Sequence, residues 1–141
     1  MKKDYKGYYD FLKEEIKRFK GNFEEFILYI PEFFKLLCGL LNEDIEKEDR
    51  QKINSALAYF VVPNDIIPEE IYGPMGYVDD IYLCTVVLKE IQEKYGVDLL
   101  KSLWECDEDF EEVLKVSYQR SLDILEEKGV VEDILKYSGL K

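Results

Sequence analysis

The chain has 141 residues, with 19 Lys and Arg against 31 Asp and Glu, which gives a net charge of −12, and it has no histidine. Its length fits one domain, and its 47% hydrophobic residues are enough to build a buried core. The missing histidine excludes Ser-His-Asp and Cys-His nucleophile pairs and every His-ligated metal site. The acidic balance argues against nucleic-acid binding, because affinity for nucleic acid comes largely from Lys and Arg on phosphates.

Apolar residues recur at steps of three and four through the first two thirds of the chain, which is typical of amphipathic helices. They predict helices over residues 4–20, 23–41, 47–62 and 77–95. Pro31 falls inside the second of these and lacks a backbone donor, so we expect a bend near residues 28–30. Pro63 ends the third helix and Gly96 is placed to end the fourth.

The remainder of the chain continues the helical pattern more weakly. It predicts a short helix or a turn over residues 97–104, a long helix over 108–128 that stops at Gly129, and a last short one over 130–137. No segment alternates as a strand does. The expected fold is therefore all-α, a single domain over residues 1–141 with about five to seven helices.

Residues 63–76 stand apart, because they hold three of the four prolines and two of the eight glycines. Each proline fixes one backbone angle, and the interleaved apolar residues favour burial. We predict a compact, ordered crossing between the antiparallel helices 47–62 and 77–95.

Two short runs flank and fill this crossing: Tyr59-x-x-x-Pro63-x-Asp65-Ile-Ile-Pro68-Glu69, and then Gly76-Tyr-Val-Asp79-Asp80. Together they resemble the signature of the domain of unknown function family 1232, the YkvA-like proteins, over about residues 53–88 within a helix–loop–helix motif at about 47–95. Glu69 stands where the family usually has Asp, and Asn64 where it often has Ile or Val. The resemblance implies the fold of this segment and a structural part for its motif residues; it implies little about activity. Those motif residues are Tyr59, Pro63, Asp65, Pro68, Gly76, Asp79 and Asp80.

The motif aspartates allow two interpretations. In the first they are structural: Asp65 caps a helical turn, while Asp79 and Asp80 place negative charge at the positive end of the fourth helix. In the second, Asp65, Asp79 and Asp80 bind a divalent cation (Mg²⁺, Mn²⁺ or Ca²⁺), with Glu69 or Glu70 nearby. The spacing is not that of an EF-hand, whose ligands alternate over a 12-residue loop.

The cysteines offer no nucleophile. Cys38 and Cys84 lie in apolar runs and are predicted to be core residues, and Cys106 is flanked by acids, which do not activate a thiol as a nucleophile. The tyrosines at helical spacing are interpreted as residues at the edge of the core with a solvated hydroxyl. We therefore predict no catalytic residue and no organic cofactor.

The odd cysteine count and the charged residues 1–6, which lack the apolar centre of a leader, indicate a cytoplasmic protein. The most apolar stretch, residues 26–41, is interrupted by Glu32 and Lys35 and is predicted to be a buried helix rather than a membrane span.

The sequence favours a non-enzymatic structural or protein-interaction module. Its partner would be another protein or a second copy of the chain, and membrane association is disfavoured because the charge of −12 repels an anionic leaflet. The alternative is a divalent-cation-binding protein, or a metal-dependent hydrolase, that uses the Asp65, Asp79 and Asp80 cluster.

Overall fold

The computed structural model describes residues 28–61 and 78–138, together with residues 7, 9–11, 13 and 14, which are helical. Six further helices lie in the described part of the chain, and no strand occurs there. They are α1 (Ile30–Leu40), α2 (Lys47–Val61), α3 (Val78–Tyr95), α4 (Val97–Leu103), α5 (Phe110–Lys128) and α6 (Val131–Ser138). The predicted all-α fold is confirmed.

Pro31 acts at a helix start. Leu28 and Tyr29 form a 3₁₀ turn, α1 begins at Ile30, and Pro31 lies in its first turn. The first N–H groups of a helix have no intrahelical acceptor, so a proline there costs no hydrogen bond. The helix predicted over residues 23–41 is thus observed as an α-helix only from Ile30 to Leu40, with 3₁₀ geometry at residues 28 and 29. Residues 23–27 lie outside the described part of the chain, and the bend within a continuous helix stays a prediction.

Helix ends elsewhere follow the local sequence. Gly96 (φ 93°) separates α3 from α4, and Gly129 adopts the left-handed conformation (φ 70°, ψ 29°) after α5. The Asp109 carboxylate caps α5 by accepting a hydrogen bond from the Glu112 N–H at 3.1 Å. These features confirm the predicted stops at both glycines.

Helix α3 lies at the centre of the described fold. It packs most extensively against α5 and also contacts α2, α1 and α4. Every residue from Val78 to Thr85 is buried, including those that an amphipathic helix would turn to solvent. The first half of α3 is therefore a core helix buried on all sides.

An aromatic junction joins α1 to the segment between α4 and α5. Trp104 lies between Phe33 and Phe110, with ring centroids 5.7 Å and 5.3 Å away. Its indole N–H donates to the carbonyl oxygen of Glu108 at 2.8 Å. The ring thus fills apolar space while its polar atom is satisfied, which is the usual compromise for a partly buried tryptophan.

Helices α2 and α3 run antiparallel. Lys52 on α2 pairs with Glu90 on α3 (3.3 Å), and Tyr59 near the end of α2 meets Asp79 at the start of α3. The turn before α2 is held by Arg50, whose guanidinium donates to the carbonyl oxygens of Leu41 and Glu43. None of the helices described is long and apolar enough to cross a membrane.

Candidate functional site

The candidate site lies where α2 ends and α3 begins, at the two ends of residues 62–77. The Tyr59 hydroxyl donates to Asp79 Oδ2 at 2.8 Å, and the Asp80 N–H donates to Asp79 Oδ1 at 3.0 Å. Tyr59 is 2% exposed and Asp79 is 0% exposed. Each carboxylate oxygen of Asp79 therefore accepts a hydrogen bond inside the protein, which lowers the cost of burying the charge.

Asp80 lies beside Asp79 and is also buried, with 2% of its surface exposed. Both carboxylates stand in the first turn of α3, where the helix dipole is worth about 0.3–1 kcal/mol for each negative charge. Cys84 follows Asp80 by four residues, so the two share one face of the helix. The start of α3 thus holds two adjacent acidic side chains inside an otherwise apolar core.

The structure describes three of the seven motif residues. It brings Tyr59 and Asp79 into contact and places Asp80 next to them. Pro63, Asp65, Pro68 and Gly76 lie outside the described residues, as do Glu69 and Glu70. Among the residues described, no group of three His, Cys, Asp or Glu side chains is placed to hold a metal ion. The cation site of Asp65, Asp79 and Asp80 stays a prediction.

Tyr59 differs from the solvated tyrosine expected at the edge of the core. Its ring packs in the core and its hydroxyl meets a buried carboxylate from the neighbouring helix. The sequence held one signal for this pair: Tyr59 lies four residues before Pro63, and Asp79 three residues after Gly76. In an antiparallel helix pair, residues at similar distances from the connection lie near each other.

A second polar cluster closes the other end of the α2–α3 pair, and sequence reasoning missed it. In this Asp49 cluster (Glu46, Asp49, Lys94 and Tyr95), Asp49 Oδ2 accepts from the Tyr95 hydroxyl at 2.7 Å and pairs with Lys94 Nζ at 2.9 Å. Lys94 also pairs with Glu46 at 2.9 Å, and the Glu46 N–H donates to the Tyr95 hydroxyl oxygen at 2.8 Å. The charged run around Asp49 resembles a solvated helix face, so nothing local marked it.

The electrostatics of the Asp49 cluster favour its ionised form. Burial pushes the pKa of Asp49 upward, but the hydrogen bonds from Lys94 and Tyr95, together with the positive charges of Lys94 and Lys52, outweigh burial and hold the pKa below its usual value. The hydrogen bonds to Asp49 and Glu46 likewise raise the pKa of Lys94. The Asp49 cluster therefore has a structural role, because each of its charged groups already forms an ion pair with another member and the pairs link α3 to the start of α2.

Cys84 is completely buried, as predicted for a core residue, whereas Cys38 is only half-buried. Burial raises the pKa of Cys38 to about 11 and that of Cys84 well above its ordinary value. Both thiols are protonated at neutral pH and are poor nucleophiles.

Comparison with known proteins agrees with the motif. The family described as "Protein of unknown function (DUF1232)" matches residues 52–86, which run from α2 through the connection into α3. An uncharacterized protein, ORF9, of Methanothermobacter thermautotrophicus is 33% identical over 130 residues, covering 91% of this chain and 87% of the relative. No solved structure matches the chain. The chain belongs to the DUF1232 family, and its likeness to ORF9 extends over nearly its whole length.

Proposed function

We propose that the protein is a non-enzymatic interaction module whose α2–α3 helix pair holds residues 62–77 as the binding element for a protein partner. One observation carries the proposal: the buried hydrogen bond between Tyr59 and Asp79 joins the two helix ends from which this segment departs. Fixing both ends of a connecting segment lowers the conformational entropy that binding a partner costs. Its apolar side chains, Ile66, Ile67, Ile71, Tyr72 and Met75, supply the contact surface.

The chemistry of the described side chains supports a role without catalysis. Asp79 is engaged with Tyr59, Asp49 is engaged with Lys94 and Tyr95, and the thiols of Cys38 and Cys84 are protonated. Each of these groups has a structural use that accounts for its burial. Three free cysteines also support a cytoplasmic location, since free thiols suit a reducing compartment.

Site-specific photocrosslinking in the source organism tests this proposal. A photoreactive residue at Tyr72 should give one discrete adduct, and the same residue at exposed Glu127 on α5 should not. Purified wild-type protein should compete the adduct away, whereas purified Ile71→Asp protein should not. An adduct of twice the chain mass would identify a second copy as the partner. Equal crosslinking from both positions, or none from Tyr72, would refute the proposal.

A divalent-cation site at Asp65, Asp79 and Asp80 is the second candidate, and a metal-dependent hydrolase is its enzymatic form. The observation that favours it is the side-by-side burial of Asp79 and Asp80. Neighbouring buried negative charges are costly, and a bound cation would offset that cost with the oxygen ligands that Mg²⁺, Mn²⁺ and Ca²⁺ prefer.

Thermal unfolding separates the two candidates. If a cation binds, then MgCl₂, MnCl₂ or CaCl₂ should raise the Tm by several degrees above NaCl at the same ionic strength, and EDTA should abolish the rise. Asp80→Asn should lose the effect, while Asp133→Asn, an exposed acid in the first turn of α6, should keep it. A wild-type Tm that is indifferent to all three divalent ions would dismiss the cation site and leave the interaction module standing.

A further inference from the structure

We draw no further inference here: the strongest candidate, the groove of about 430 Å³ between the second half of α3 and the first turns of α5, is an acidic cluster in which Glu111 already pairs with Lys101 and Asp109 already caps α5, and no second observation in the described part of the chain points to a ligand for it.

Discussion

Asp79 is a carboxylate with no exposed surface, a situation that proteins tolerate only when the charge is well hydrogen-bonded. Its oxygens accept from a tyrosine hydroxyl of the preceding helix and from the N–H of the next residue. The first of these bonds ties α2 to α3, and the second lies in the first turn of α3 itself. A single side chain therefore joins two elements at the point where the chain departs into the motif.

Removing the Tyr59 hydroxyl tests this contact. We expect Tyr59→Phe to lower the free energy of unfolding by about 1.5–3 kcal/mol, the usual worth of a hydrogen bond to a charged acceptor. Chemical denaturation of Tyr59→Phe, Asp79→Asn and the double variant should give a positive coupling energy for the pair.

Tyr82→Phe is the matched control for Tyr59→Phe. Tyr82 is also buried, at 5% exposure, and the described residues give its hydroxyl no hydrogen bond. Its loss of stability should be clearly smaller. Equal losses for the two tyrosines would mean that the Tyr59 hydroxyl contributes no more than general packing.

Asp49 makes a pH-dependent contribution to stability. Because its pKa is lowered in the folded protein, its stabilising effect is present above the unfolded pKa of about 3.9 and is lost as the pH falls through the lower folded value. Asp49→Asn should therefore be less stable than wild type at pH 7, and the difference should shrink below about pH 4. Glu48→Gln, an exposed acid in the same turn of α2, should show little difference at either pH. A gap for Asp49→Asn that is constant down to pH 3 would contradict this assignment.

At the scale of the elements, the helix boundaries depend on a few residues with special backbone geometry. Gly96 and Gly129 both have positive φ, yet an added Cβ would meet no atom within 4 Å at either position. Any cost of replacing them is thus a cost of backbone conformation alone. The two conformations differ: Gly129 is left-handed helical (ψ 29°), while Gly96 is extended (ψ 155°) in a region that is almost restricted to glycine.

Substitutions at these two glycines should separate the conformations. Alanine should cost about 1–2 kcal/mol at Gly129 and about 1–3 kcal/mol at Gly96. Asparagine, which tolerates the left-handed region, should be nearly neutral at Gly129 and remain costly at Gly96. Denaturant midpoints measure both effects.

Gly39 is the control position, where alanine should raise stability rather than lower it. It lies inside α1, and an added Cβ would meet only Leu103 Cδ2, at an ordinary contact distance of 3.9 Å. Gly39→Ala should therefore stabilise the protein by about 0.5–1 kcal/mol. Destabilisation at all three glycines would show that packing, not φ, decides these sites.

The elements were largely predictable because their signals are local. Helices predicted over residues 47–62 and 77–95 are observed as Lys47–Val61 and Val78–Tyr95. Proline and glycine mark such ends through the geometry of one or two residues. The faces of the helices were less predictable. Ile81, Cys84, Leu88 and Ile91 are buried, as their helical spacing predicts, but so are Asp79 and Thr85, because α3 contacts four other helices.

At the candidate site, too, the sequence predicts which residues matter but not which contacts they make. The motif located Tyr59 and Asp79, but their hydrogen bond depends on the tertiary pairing of α2 with α3. Asp49 and Glu48 are adjacent acids in one turn, yet only Asp49 is buried against Lys94 and Tyr95. Which acid turns inward is set by the register of the two helices, and a single sequence does not encode that register in any local pattern.

At the scale of the whole molecule, the acidic residues outnumber the basic ones, so negatively charged side chains repel one another across the folded protein. The exposed pairs Lys35–Glu105 and Lys52–Glu90 engage four charges, and such surface pairs contribute little. A net charge of −12 spread over a small protein disfavours the compact state.

Screening by salt should therefore stabilise the protein. Raising NaCl from 0.01 M to 0.15 M shortens the Debye length from about 30 Å to about 8 Å. We expect the Tm measured by calorimetry to rise by a few degrees over this range, because repulsion among the excess acidic residues is screened more than the ion pairs of the described residues are weakened. A fall in Tm would mean that attractive pairs dominate the folded state.

Trp104 is the single tryptophan of the chain, and its place between Phe33 and Phe110 makes it an intrinsic optical reporter. Its fluorescence reports on the junction where α1 meets the start of α5. Trp104 and Phe33 touch there, although more than 60 residues separate them along the chain. Separation of α1 from α5 would expose the indole to water and shift its emission to longer wavelength. Unfolding of this long-range contact can thus be followed in the unlabelled protein, separately from the helical signal of circular dichroism.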